Sequence, residues 1–286
     1  MASLRQIRRR MKSIENIHEI TKAMEMIAAF RFKRAEGRFL KTRAYFGELE
    51  RLVGNIARAG SENFHHPLFE KRQVRKKSLI VMTGDKGLCG AYNTNLLRGV
   101  QAWLKENQLF EAALIPVGKV GCEFARRRKL PVLSQYAEKS AASIAMAKSL
   151  TEDVAGQFLA GRTDSVELLY TGYRSGGSGR NTVVPFLSMS HLLEGAQKGG
   201  APDYIYEPGF EGVFESLLGR YMEGRTYRYL LESLVSEHAA RTIAMKQATD
   251  NSEEILDSLK LLRNKTRQAT ITRELSEIVS GASILV

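Results

Sequence analysis

Proline is missing from both ends of this chain. None occurs between residues 3 and 58 or between 213 and 278, and glycine interrupts the first stretch only at 37, 47 and 54. Proline inside a helix removes a backbone donor and clashes with the preceding turn, so its absence leaves room for long helices at both termini. Cysteine is scarce too, with Cys89 and Cys122 the only two in 286 residues. Two thiols build neither a disulfide framework nor, without clustered histidines, a metal site. Reduced thiols in a cytoplasmic compartment are the expectation. There is no apolar run of the roughly eighteen residues that a bilayer-spanning helix needs. The opening MASLRQIRRRMKSIENIHEI has basic residues but no apolar stretch after them, which argues against a secretory signal. Glu15, Glu19 and Glu25 argue against a transit peptide, and the segment reads as mature structure.

Catalytic patterns are absent as well. His18, His65, His66, His191 and His238 are scattered, without a metal-binding spacing among them. His238 reads as a packed or partner-facing side chain. Asp85 and Lys86 could form an acid–base pair, but no third residue is in sequence position to orient them. TGDKGLCGAYN, residues 83–93, falls between a strand pattern and a helix pattern, where open α/β sheets bind ligands. It nevertheless has neither the Lys-Ser or Lys-Thr of a phosphate-binding loop nor the GxGxxG spacing. It reads as a tight turn, as a surface for a partner, or as both. No cofactor, metal or catalytic residue is expected; if the protein serves an enzyme, it does so mechanically.

Charge is abundant and uneven. The formal net charge is +12. Residues 1–43 hold twelve Lys or Arg against four Glu, a net of +8, whereas residues 225–286 hold nine basic against eight acidic residues, a net of +1. Arg8, Arg9 and the rest of RRRMK favour an acidic partner surface. Nucleic acid is a rival partner, but RRRMK and the ARRRK at 125–129 lack the interleaved aromatic residues that stack bases.

Hydrophobic spacing supplies the architecture. Leu4, Ile7, Met11, Ile14, Ile17, Ile20, Met24 and Ile27 recur in steps of three and four, close to the coiled-coil repeat. Ser3 can cap this helix. At 1.5 Å per residue a helix of about fifty residues reaches roughly 80 Å, too long to stand without a partner. A second stripe begins at Leu230, Leu231, Leu234 and Val235. It passes through His238, Thr242, Met245, Thr249, Ser252, Leu256, Leu259 and Leu262 to Ile271, Leu275 and Ile278, with Gly219 and Gly224 expected to make its early part irregular. The two helices most simply pair as an antiparallel, left-handed coiled coil. Ile20, Ile27, Phe30, Phe32, Ile255, Ile271 and Val279 remain on outer faces, and the apolar ending at Ile284, Leu285 and Val286 calls for an enclosure.

Between the helices the pattern is α/β. KSLIVMTGD, EAALIPVG, SVELLYTGYRS and RNTVVPFLSM read as strands, the last two joined by GGSG. NTNLLRGVQAWLKEN, KVGCEFARRRK and SAASIAMAKSLTEDVAGQFLAG read as helices. Alternation of the two predicts a Rossmann-like domain with a largely parallel sheet. The expected divisions are an N-terminal coiled-coil helix over 1–58, an α/β foot over 75–205 and a C-terminal coiled-coil helix over 210–286.

Three stretches resemble one family. LRQIRRRMKSIENIHEITKAMEMIAA (4–29), LIVMTGDKGLCGAYNTN (79–95) and the long C-terminal run ending ITRELSEIVSGA (236–282) are similar to the gamma subunit of bacterial F-type ATP synthases, the central rotor shaft of the F1 sector. The resemblance implies a coiled coil entering a ring of three alpha and three beta subunits. One copy per complex would couple ion-driven rotation of a c-ring to ATP synthesis or hydrolysis at the beta subunits. It assigns ring contacts to Lys22, Met24 and Glu25, to Arg267, Gln268 and Thr272, and, with the basic start, to Arg8 and Arg9. Ile284, Leu285 and Val286 would sit in an apolar bearing. Lys86, Leu88, Cys89 and Tyr92 would face the epsilon subunit and the c-ring at the foot. The implied location is peripheral, on the cytoplasmic face of the bacterial inner membrane. Two departures concern the foot alone: Gly84 stands where the family usually has Ser, and Ala91-Tyr92 where Gly-Phe is common. A non-rotary coiled-coil adaptor is the alternative reading of the same pattern, and a basic nucleic-acid-binding protein the second.

Overall fold

Ser3 starts the first helix with a reciprocal cap. Its Oγ accepts from the Gln6 N–H at 3.3 Å, and the Gln6 Oε1 accepts from the Ser3 N–H at 3.0 Å. This is a capping box, which satisfies two donors that a helix start leaves open. Helix α1 then runs Leu4–Ala59 without a break. The computed structural model describes residues 3–59, 73–139, 142–173, 179–187, 205–207 and 209–283. Among the described residues the further elements are β1 (Lys76–Met82), α2 (Tyr92–Glu106), β2 (Glu111–Val117), α3 (Lys119–Arg127), α4 (Ile144–Leu159), β3 (Ser165–Gly172), β4 (Arg180–Pro185) and α5 (Phe210–Ser283). The chain forms two compact units, Met1–Ala29 with Arg241–Val286, and Phe30–Ala240.

The seam of α1 is a strict heptad, but not along the stripe that apolar residues alone suggest. Inward positions are Ile7, Met11, Ile14, His18, Thr21, Glu25 and Ala28, then Phe32, Ala35, Phe39, Thr42, Phe46, Leu49, Val53 and Ile56, in alternating steps of four and three. Ile17, Ile20 and Ile27 stand outside it, 45%, 59% and 53% exposed. The early apolar stripe drifts off the seam because His18, Thr21 and Glu25 occupy positions where apolar side chains were expected. Helix α5 follows the same alternation through Met245, Thr249, Ser252, Leu256 and Leu259, all buried. It then continues through the half-buried Arg263, Thr266 and Thr270 rather than through Leu262. A 3.5-residue period held this long imposes a left-handed coil.

In the first unit, Ile7 and Met11 pack with Leu259, with Ile14 beside them. Farther along α1, His18 Nδ1 lies 3.1 Å from Ser252 Oγ. Partner numbers on α5 fall as those on α1 rise, so the helices run antiparallel. Ile7→Ala is expected to cost about 2 kcal/mol or more, the usual effect of emptying a buried branched site. Ile20→Ala should stay within about 0.5 kcal/mol, as exposed substitutions do. Urea unfolding followed by circular dichroism separates the two, and equal losses would return Ile20 to the seam.

In the second unit the sheet order is β2-β1-β3-β4. The first three strands are parallel, and β4 pairs antiparallel with β3. β1 and the later parts of β2 and β3 are buried on both faces, which is why they read as continuous apolar runs, whereas the edge strand β4 is mostly exposed. Alternation sorts their side chains. Leu79, Val81, Leu114 and Leu169 face the cluster of Leu96, Val100 and Trp103 on α2. Ile80, Met82, Ile115, Val117 and Leu168 face α4 and the parts of α1 and α5 that belong to this unit. Gly219 and Gly224 do not interrupt α5. A Cβ at Gly224 would lie 2.6 Å from Phe46 Cε1, so this glycine admits the α1 ring. The GGSG turn and the linker beginning at residue 198 fall largely outside the described residues.

Candidate functional site

The strand β1 ends at Met82, and the turn that follows is held from several sides. Thr83 N–H donates to the Val117 carbonyl at 2.8 Å, and the Gly121 N–H donates to Thr83 Oγ1 at 2.8 Å. The Gly84 N–H donates to Asn93 Oδ1 at 2.8 Å. Asp85 Oδ1 accepts from the backbone N–H groups of Lys119 at 3.2 Å and Lys139 at 3.0 Å. The imagined Asp85–Lys86 acid–base pair is thereby replaced by a structural role for Asp85. Gly90 adopts φ +56 and Leu88 φ +60. A left-handed backbone is natural for glycine but strained for leucine. Leu88 is nevertheless 56% exposed, so an apolar side chain is displayed at the tip of a fixed turn.

Of the four foot residues taken from the resemblance, Lys86 and Leu88 are exposed, while Cys89 and Tyr92 are buried. A partner at this turn would meet the first two side chains and not the second two. Cys89 packs inward with Asn93 Nδ2 3.3 Å from its sulfur. Both cysteines are free thiols, and burial pushes the half-buried Cys122 thiol up.

Behind the turn is a polar cluster that the sequence does not announce. Lys139 is 0% exposed. Its Nζ lies 3.0 Å from Glu237 Oε2, 3.2 Å from the Tyr92 hydroxyl and 3.1 Å from Ser233 Oγ. An ammonium has three protons, and these contacts use all of them. Burial works against the ammonium, but the Tyr92 hydroxyl and the Glu237 carboxylate outweigh it, and its pKa is raised. Burial likewise pushes the Tyr92 phenol up. Lys139 is thus charged at neutral pH. Residue 84 is tightly surrounded here: a Cβ on Gly84 would lie 3.0 Å from Glu237 Cδ and 3.2 Å from Asn93 Oδ1, so a serine there requires one of these side chains to shift. The local signal was weak, because AEKSA looks like any solvated charged loop.

The first unit presents a different surface. Arg8, Arg9, Lys22, Arg267, Gln268 and Thr272 are exposed, and Met24 and Glu25 are half-buried, with Glu25 on the seam. Residues 271–280 of α5 are all exposed. Among them Ile271, Leu275, Ile278 and Val279 are 47%, 57%, 67% and 67% exposed. Ile284, Leu285 and Val286, as well as His65, His66 and His191, lie outside the described residues. Within the described residues, no group of three ligating side chains could hold a metal ion. No helix among them is long and apolar enough to cross a membrane.

Known proteins align with this whole architecture. An ATP synthase family profile matches residues 3–285. The ATP synthase gamma chain of Anaeromyxobacter dehalogenans strain 2CP-C is 41% identical, with 100% of each chain covered. That of Desulfitobacterium hafniense is 37% identical, again over 100% of each. Among solved structures, a chain of the Tetrahymena thermophila mitochondrial ATP synthase, seen with the central stalk and c-ring, superimposes with a TM-score of 0.64 at 25% identity, covering 80% of this chain and 99% of that one. A chain of the Euglena gracilis mitochondrial enzyme shares the fold, with a TM-score of 0.68 at 17% identity over 99% and 94%. The likeness therefore runs the length of the chain, and this chain belongs to the ATP synthase gamma chain family.

Proposed function

We propose that this chain is the central rotating shaft of an F-type ATP synthase. It couples ion-driven rotation of a c-ring to ATP synthesis or hydrolysis at the beta subunits and has no active site of its own. The observation that carries this reading is the end of α5, where ten consecutive exposed residues include Ile271, Leu275, Ile278 and Val279. Exposed apolar side chains grouped in this way mark a surface for a partner. A cavity in an alpha3–beta3 ring is the enclosure that family membership supports.

Coupling then works through differential contact. An asymmetric shaft touches each beta subunit differently at each angle, and it shifts each site only by the difference in contact energy between conformations. Lys22, Met24 and Glu25 on α1, and Arg267, Gln268 and Thr272 on α5, are the ring contacts, with Arg8 and Arg9 adding basic charge toward acidic loops. Exposed pairs of this kind contribute about 0–1 kcal/mol each, weak enough to be broken at every step. Ile284, Leu285 and Val286 complete the bearing. At the foot, Lys86 and the strained, exposed Leu88 meet the epsilon subunit and the c-ring, and Cys89 and Tyr92 hold that turn from inside. One copy serves each complex. The subunit is peripheral, on the cytoplasmic face of a bacterial inner membrane.

The test is rotation. Cys89 is buried, so a probe belongs on a cysteine introduced at Leu109, which is 96% exposed. With separately purified alpha and beta subunits and ATP, the probe should turn stepwise in one direction. A ring that hydrolyses ATP around a stationary chain, or without it, would leave the adaptor reading instead.

A further inference from the structure

The mechanical reading leaves one group of residues without a role. Glu232, Ser233, Ser236 and Glu237 fall on one face of α5, and all four are buried, at 9%, 0%, 3% and 5% exposure. Most of the helix around them packs through Leu230, Leu231, Leu234 and Val235. Apolar packing is non-directional and fixes a helix's rotation about its own axis only through shape. Polar contacts are directional. Each carboxylate here grips the chain just beyond the C-terminal end of a parallel strand. The Glu232 Oε1 accepts from the Tyr173 N–H at 3.0 Å, immediately after β3. Glu237 meets Lys139 at 3.0 Å and packs against Gly84, two residues after β1. Because β1 and β3 are neighbours, α5 is keyed to adjacent strands at two points along its length.

We infer that the buried Lys139–Glu237 pair is a positioning lock, fixing the rotational phase of α5 against the α/β domain so that torque passes between them without slip. The inference rests on the rotor reading above. Its second support is saturation. Lys139 spends all three Nζ protons on Glu237, Tyr92 and Ser233, while its backbone N–H is tied to Asp85. The lysine therefore joins the turn after β1, the segment before α4 and the helix at one angle. A buried ion pair is a poor device for stability alone, since apolar residues of similar volume do as well or better, and its best-attested use is to specify register.

The discriminating variant is the double substitution Lys139→Met with Glu237→Leu. It fills the site, removes direction and leaves no unpaired charge. Assembled with alpha and beta subunits, the variant should melt no lower than wild type and hydrolyse ATP at the wild-type rate. With the ring fixed and ATP withheld, the angular variance of a bead on a Leu109→Cys foot should rise. If the double variant does not assemble, Ser233→Ala strips one of the three acceptors and should also raise the variance. Unchanged variance in whichever of these variants assembles would overturn the lock. A wild-type chain that does not turn with ATP would instead overturn the rotor reading, before any variant is compared.

Discussion

Replacing Gly118 with alanine is expected to destabilise the α/β domain by about 3 kcal/mol, the upper range for a side chain forced into a glycine-only backbone region. Gly118 lies between β2 and α3 with φ +99 and ψ 145. A Cβ there would sit 2.4 Å from the Thr83 carbonyl oxygen and 2.8 Å from Thr83 Oγ1. Backbone cannot yield as the tip of a flexible side chain can, so the strand end or the turn must move. Thr83 opens the turn that carries Asp85, Lys86 and Leu88, and Gly118 itself donates to the Tyr136 carbonyl at 2.7 Å. The same shift therefore reaches the segment that holds Lys139. Trp103, the only tryptophan, is buried in this domain with its Nε1 donating to Glu167 at 2.6 Å. Its fluorescence during urea unfolding reads the loss directly. Gly156→Ala is the control: it lies inside α4 with nothing within 4 Å of a new Cβ. That change should stabilise by up to about 1 kcal/mol through helix propensity. Equal midpoints for the two variants would show that Thr83 gives way without cost.

The contrast between these glycines illustrates what a sequence carries and what it hides. The strands were legible because parallel sheet buried on both faces writes itself as apolar runs such as LIVM. Both long helices were legible from the absence of proline. The seam of α1 was only half legible. Ile17, Ile20 and Ile27 attract the eye, yet the heptad runs through His18, Thr21 and Glu25, and His18 meets Ser252 on α5. Periodicity weighted by hydrophobicity fails where a coiled coil is packed with small and polar residues.

The foot was legible at its turn and hidden behind it. The Gly-Leu-Cys-Gly segment stood out by family resemblance, but resemblance could not sort its members by exposure. Lys86 and Leu88 reach solvent, whereas Cys89 and Tyr92 do not. Lys139 and Glu237 are nearly a hundred residues apart and sit in ordinary charged contexts. Nothing local distinguishes a buried lysine from a solvated one, because its partner is supplied by the fold. The departure at residue 84 was the available clue, since both Glu237 and Asn93 approach that glycine closely.

The second large effect is expected where the chain's own packing ends. Leu275→Glu combined with Ile278→Glu should leave the melting of the isolated chain within about 0.5 kcal/mol of wild type, as for other exposed changes. Both side chains are already more than half exposed. In the assembled ring the same pair should be costly. Enclosing two such side chains contributes about 1.5–3 kcal/mol each, and a buried carboxylate without a partner adds a penalty. A loss of about 3–6 kcal/mol weakens association on the order of a hundredfold or more, which a titration of alpha3–beta3 rings with labelled chain would read. Unchanged affinity would mean that this end of α5 is not enclosed. A fall in the melting of the isolated chain would mean that the two residues pack within this chain, and the enclosing surface would then have to be sought on the outer face of α1, at Ile17, Ile20 and Ile27.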